Sequence, residues 1–559
     1  MACAPTPAPP PAPAAPPAPA AQGAAQAEPA KPAVQAVPGT SKDLLYLDPW
    51  SIGYEPAKNT GGTLNYAVSN TTSNLNPYGP NVQTRPYREV AYDTLVVRRL
   101  GPGAKVLAAP LICRLCESWE VQGGGKTYVF RLRQNVKWHD GQPLTADDVK
   151  FSYEKAGARE TGFELRSNLA GIDTMEVPDR YTFRANLKDL DADFVLKLSD
   201  IQIVPKHAFE SGVDMLKTVI GTGPFKHGSF TPEVEYVAVR NPDFWLPDRP
   251  LADRMVAKMI VDSSTRVAAF LAKQVDLFQV ANKKELEPIQ RQLADVKIEP
   301  MDHINVNSFI FNVQRAPFND KRVRQAVHLA LDRDQLADVY SSGLGPKYVA
   351  PATPADWQAK SITREDLAKM AGYRQPKDAD IAEAKRLLAE AGFPNGFKTT
   401  SMHRAGSIGL PEQNEAASAQ LSRVGIDVTI QPVEIGVFTR RRAECDYDML
   451  GDTVAGTRSS LTRNYLLYAT EGAENACKYS NPEYDRLVAE QARELDEGKR
   501  WELAKRIQRM LLDELPSAPW AETISYSLWQ PYVHNWRNYG SAQAYVWAPT
   551  AELLWVDKR

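Results

Sequence analysis

No uninterrupted apolar run in this 559-residue chain reaches the ~18–20 residues that a helix needs to cross a bilayer, so no transmembrane helix is expected. Excess charge of one sign is also missing. The 66 Lys and Arg stand against 68 Asp and Glu, a formal net charge of -2, and nothing suggests a nucleic-acid surface. Cysteine is sparse: Cys3, Cys113, Cys116, Cys445 and Cys477 are the only five. A structural zinc site would need a second pair or histidines at matching spacing beside Cys113-x-x-Cys116, and none is present, so neither a metal nor a cofactor is expected. Cys3 stands apart. The other four can pair in three ways, and spacing does not choose among disulfides or free thiols, although an extracytoplasmic location would favour disulfides. G-x-S-x-G, H-E-x-x-H and the Walker A phosphate loop are all lacking. An enzyme reading therefore has no catalytic residue to rest on.

What is present begins with length enough for two or three domains, and with 11 Trp and 22 Tyr, ample for an aromatic-lined pocket. The start is a different material. Residues 1–40 hold 12 Pro and 15 Ala, with Glu28 and Lys31 as the only charges. Such a stretch cannot bury a core, and residues 1–42 are expected to form an extended tether reaching on the order of 100 Å. Met1-Ala2-Cys3 lacks the charged and apolar regions of a secretory signal and reads as a trimmed precursor with Cys3 as the lipid-bearing residue.

The most specific stretch is Lys126–Ala156. Tyr128, Phe130 and Leu132 alternate with Thr127, Val129, Arg131 and Arg133, the period of a strand with one buried face. Asp140-Gly141 supplies a tight turn, and Thr145 with Asp148 forms a capping-box start for a helix through Val149, Tyr153 and Ala156. Asp147 and Asp148 point about 100° apart on that helix, so they cap and solvate it rather than form a catalytic pair. His139, in the turn, reads as scaffold. Further along, Tyr87–Val97 reads as a helix. Val323, Ala326, Val327, Ala330 and Leu331 share a helix face, 379–391 is another helix, and 397–433 reads as a β-α-β unit. Asn481-Pro482 opens a helix as cap and first residue.

The phrase "LRQNVKWHDGQPLTADDVKFS" closely resembles the signature of the family 5 extracellular solute-binding proteins, the peptide- and nickel-binding components of bacterial ABC importers. "GGTLNYAVSNTTSNLNP", "IGTGPF", "NPDFW" and "DKRVRQAVHLALDRDQL" resemble further phrases of that family, in order, over roughly residues 61–540. "PLICRLCESWE" departs from it at Cys113 and Cys116.

The resemblance implies an α/β periplasmic-binding-protein-like fold with mixed sheets and two lobes, in three subdomains, around a cleft. Lobe 1 is expected from 43–97, 216–305 and 516–559, with 98–215 inserted as a small α/β subdomain. Lobe 2 is expected from 306–515, with hinge strands near Ile310 and Pro516–Pro519. Ligand-lining positions carried over are Asn70, Thr71 and Thr72; His403 and Arg404; and Thr453, Thr457 and Arg458, while Trp357, in a loop after "APATPADW", reads equally as a stacking residue for a sugar or peptide side chain and as lobe packing. Many peptide binders hold the peptide's amine with an Asp in a "W-x-A-D-Y" phrase. That Asp falls at Thr457 here, and Asp452 is five residues early. Arg404 and Arg458 would suit a carboxylate or phosphate instead. The implied partners are a peptide-like, opine or oligosaccharide ligand, a permease with its ATPases, and the membrane through Cys3; a monomer is expected. An extracytoplasmic chaperone or signalling receptor on the same fold is the alternative.

Overall fold

The computed structural model describes residues 55, 57, 58, 60–69, 71–79, 87–98, 110–163, 165–280, 283–341, 360–405, 410–454, 460–472, 475, 476, 478–536 and 551–557. Its organising element is one mixed ten-stranded sheet that passes through both lobes of an α/β fold. Lobe 1 contributes β1 (Thr63–Val68), and four more strands of its own to that sheet. Between β1 and those strands in sequence lie β2 (Val96–Arg98) and β3 (Leu111–Cys113), which pair as a ribbon. Then come β4 (Cys116–Gln122), β5 (Thr127–Leu132), β6 (Ile172–Asp179) and β7 (Thr182–Leu187), a separate four-stranded sheet. The remaining lobe 1 strands are β8 (Phe225–Thr231), β9 (Glu235–Arg240), β10 (Arg254–Met259) and β11 (Leu277–Val280).

Two long strands join the lobes: β12 (Lys297–Phe311) and, far along the chain, its antiparallel partner. Lobe 2 adds β13 (Phe397–Arg404), β14 (Ile426–Val433) and β15 (Met449–Val454). The partner of β12 is β16 (Ser517–Trp529). The order is β14-β13-β15-β12-β16-β11-β1-β10-β9-β8. The first half of β12 and the second half of β16 lie beside β11, while Val306–Phe311 lies beside β15. Their mutual register breaks between Asp302 and Val306. So β16 runs beside both halves of the sheet, and its register with β12 breaks near Glu522–Ile524.

Period-two patterning puts two cores on opposite faces of the lobe 2 sheet. Ile310, Met402 and Leu450 pack on one, Phe309, Phe311 and Met449 on the other. In lobe 1 a single core gathers Leu64, Tyr236 and Met255 with Trp138, Phe130 and Phe183 of the inserted segment, so insert and lobe share one interior.

The signature turn forms as expected. Gly141 takes φ +91°, and Asp140 Oδ1 accepts the Gln142 amide at 3.2 Å. Thr145 and Asp148 close a capping box on α1 (Ala146–Gly157), and the buried Asp148 also accepts from the Lys206 amide at 3.0 Å. The expected helix over 87–97 is only one turn, Arg88–Ala91, because Val96–Arg98 pairs instead with Leu111–Cys113. Cys113 and Cys116 are joined by a disulfide. Cys445 is a free thiol at the left-handed end of a helix, its Sγ 3.6 Å from the Ala476 carbonyl, and Cys477 lies outside the described residues.

Candidate functional site

Register decides where a ligand can meet both lobes. In lobe 1, β1 runs parallel to β10 and β11, and the C-terminal end of β11 sits level with Tyr526 of β16. In lobe 2, β13, β14 and β15 are mutually parallel, and the C-terminal end of β15 sits level with Val306 of β12 and, through it, Glu522 of β16. The two sets of strand ends therefore face one another across the stretch where β12 and β16 change lobe. The carboxyl ends of parallel strands are where α/β sheets place ligands. The segments leaving those ends are 69–79, 260–262, 405–409, 434 and 455–459. They include the exposed Val261 and lead directly into the exposed Ile435.

The charged centre of this region is a pair. Parallel pairing of Met402 with Leu450 brings Arg404 level with Asp452 on the same sheet face. Arg404 Nη2 donates to Asp452 Oδ1 at 2.8 Å; the arginine side chain is 34% exposed and the aspartate 3%. The guanidinium carbon lies 5.9 Å from the centre of the Phe438 ring, on α2 (Ile435–Glu444). Arg404 Nε is buried and makes no hydrogen bond among the described residues. The N-terminus of α2 is already occupied: Glu434 accepts from the Gly436 and Val437 amides at 2.7 and 3.2 Å. A surface that carries this pair can hold a group of either charge, with Arg404 and Asp452 exchanging their mutual bond for one to a ligand.

The other expected positions fare differently. Thr71 is exposed; Thr72 is buried, its hydroxyl donating to the Asn74 carbonyl at 2.7 Å. His403 is buried on the sheet face opposite Arg404, its Nδ1 3.1 Å from the Arg404 carbonyl. Asn70, Trp357, Thr457, Arg458 and Cys3 lie outside the described residues, as does the side chain of Thr453. In sequence Asp452 reads only as an acid five residues ahead of the position of the family's Asp. Its role becomes visible once "SMHR" and "MLGD" are set side by side as parallel strands.

Three of the family phrases meet one another in lobe 1. Asp93 is buried and receives Arg114 Nε at 2.7 Å, Thr222 Oγ1 at 3.0 Å and Trp245 Nε1 at 3.3 Å. Arg114 reaches on to the buried Glu552 at 2.7 Å, with the Trp245 ring 4.9 Å away. His139 accepts from the Gly221 amide at 3.1 Å and faces the Gly223 carbonyl at 3.0 Å, an arrangement that needs the neutral ring with its proton on Nε2. Burial pushes its pKa down to about 4. A Cβ on Gly221 would fall on the Ala91 carbonyl oxygen. The signature turn, "IGTGPF", "NPDFW" and the Cys113–Cys116 turn are thus one buried polar lock in lobe 1.

Residues 111–475 match the model of the bacterial extracellular solute-binding proteins, family 5. The chain is 26% identical over 472 residues to di/tripeptide-binding protein 1 of Pseudomonas aeruginosa, covering 78% of this chain and 84% of that one. It is also 26% identical over 461 residues to heme-binding protein A of Haemophilus influenzae, covering 76% and 81%. Among solved structures, the fold is similar to that of the ABC transporter substrate-binding protein CtaP of Listeria monocytogenes, with a TM-score of 0.76 and 20% identity over 89% of this chain and all of that one.

Proposed function

The chain belongs to the bacterial extracellular solute-binding proteins of family 5, and from that premise we propose that it captures a peptide-like, opine or oligosaccharide solute between its lobes and delivers it to the permease and ATPase subunits of an ABC importer. The observation that carries this reading is the facing of strand carboxyl ends across the β12–β16 crossing. A ligand held there contacts both lobes, so it binds the closed arrangement more tightly and shifts the population toward it. No bond is made or broken. Two relatives of equal identity carry names for di/tripeptides and for heme, which supports a reading in which different ligands are taken on one shared scaffold.

Arg404 is the residue we assign to an anionic ligand group, with Asp452 fixing its guanidinium. The site lies outside the cytoplasm, on a monomer tethered by residues 1–42 and anchored through a lipid on Cys3. Native mass spectrometry of freshly purified protein tests the binding role. A bound small molecule released intact on denaturation, and lost from Arg404→Ala, is the expected result. Equal retention by Arg404→Ala removes the arginine from the site. Cleavage of peptides or oligosaccharides on incubation would overturn the binding reading. A diacylglycerol mass on native material tests Cys3.

A further inference from the structure

One contact between the lobes has no part in the cleft. Asp193 lies in the inserted segment, just before the short helix Phe194–Leu198, and its carboxylate is 3% exposed. Lys197 of the same segment is an electrostatic neighbour, but the hydrogen-bond partners of the carboxylate come from lobe 2. Oδ2 accepts from Ser460 Oγ at 2.6 Å and from the Thr462 amide at 3.2 Å, and Oδ1 accepts from Arg500 Nη2 at 2.5 Å. Arg500 is itself only 15% exposed, and its Nη2 also reaches Thr462 Oγ1 at 3.3 Å. One residue away, the Ala192 amide of the insert donates to the Ala492 carbonyl of lobe 2 at 2.9 Å. Burial would raise the Asp193 pKa, but Arg500 and Ser460 outweigh it, and the carboxylate stays ionised below its ordinary range.

The position of these partners matters. Ser460 caps the helix Leu461–Tyr465, accepting from the Arg463 amide, and it directly follows 455–459, the segment that leaves the carboxyl end of β15. The other foot of that segment is the strand carrying Asp452. The insert shares its core with lobe 1, so Asp193 moves with lobe 1, while Ser460, Thr462 and Arg500 move with lobe 2.

We propose that Asp193 is an interlobe latch: it engages Ser460, Thr462 and Arg500 when the lobes close, and so ties closure to the lobe 2 helix that Ser460 caps. The proposal rests on the two-lobe binding reading given above. It makes Asp193 a positioning residue, outside the cleft and without ligand contact. Each of its bonds is charge-assisted and sealed from water, so losing them on opening is a cost that ligand must help offset.

Hydrogen exchange on the unaltered, ligand-free full chain provides the test. The Ala192 and Thr462 amides sit on opposite lobes, and each donates across the contact. If the latch opens with the lobes, both exchange through one shared sub-global opening, much faster than the amides of β1 and β10. If both exchange only as slowly as those strands, the contact is permanent and the latch is refuted. Asp193→Asn should raise exchange at both amides on the order of tenfold while leaving β1 and β10 unchanged. Arg500→Lys, which keeps the charge, should restore much of the protection that Arg500→Gln loses; equal loss in both would mean a packing role only. A failed latch with a co-purified ligand still present leaves the binding reading intact. An intact latch without binding does the reverse.

Discussion

At the scale of single residues, two buried groups are the most exposing tests of this structure. His139 is neutral in the fold, with a pKa pushed down to about 4 from an unfolded value near 6.5. The folded state then binds fewer protons than the unfolded chain between those values, so stability is full above pH 6.5 and falls as pH drops toward 4. The loss attributable to this ring is about 3 kcal/mol, and urea unfolding at pH 7 and pH 4.5 should show a shallower decline in His139→Gln than in the parent chain. Asp93 is the second case. Its removal leaves the Arg114 guanidinium buried with Glu552 as its remaining carboxylate partner at hydrogen-bond distance. Breaking a buried pair in this way costs about 3–5 kcal/mol, so Asp93→Ala should lower the unfolding midpoint sharply.

At the scale of elements, the caps and crossings carry the predictions. The box formed by Thr145 and Asp148 satisfies first-turn amides of α1, and Thr145→Ala should cost about 1 kcal/mol by thermal or urea denaturation. The crossing of "IGTGPF" under Ala91 is less forgiving. Backbone lies where a Gly221 side chain would go, and backbone cannot rotate aside, so Gly221→Ala should destabilise by about 3 kcal/mol or more and reduce soluble yield. Sequence reading placed the strand, turn and helix of 127–157 closely because period, turn chemistry and cap agree there. Tyr87–Val97 reads as a helix because Val96 and Val97 also suit a helical face. The partner that makes them a strand, Leu111–Cys113, is a long-range choice that periodicity does not contain.

At the scale of the whole molecule, the device is a continuous sheet whose two longest strands change lobe where their register breaks. Closure about that stretch should reduce the radius of gyration when ligand is added, and small-angle scattering with and without the co-purified molecule checks it. An unchanged radius would argue that ligand does not bridge the lobes. The latch at Asp193 belongs to the same scale, since its groups are 267 residues apart in sequence at Ser460 and 307 apart at Arg500.

The amino-acid order alone determined the family, the α/β class, the strand and helix of the signature stretch and the absence of any recognisable catalytic set. These follow from local patterns: periodicity, caps, turn residues and phrases read in order. It did not determine what the phrases are for, since Asp93, Arg114, Thr222, Trp245 and Glu552 meet only in space. Nor could it join Arg404 to Asp452 or Asp193 to Arg500. Pairings of that kind depend on strand register and on how two lobes are laid against each other, and both are set by burial of whole faces rather than by neighbours along the chain.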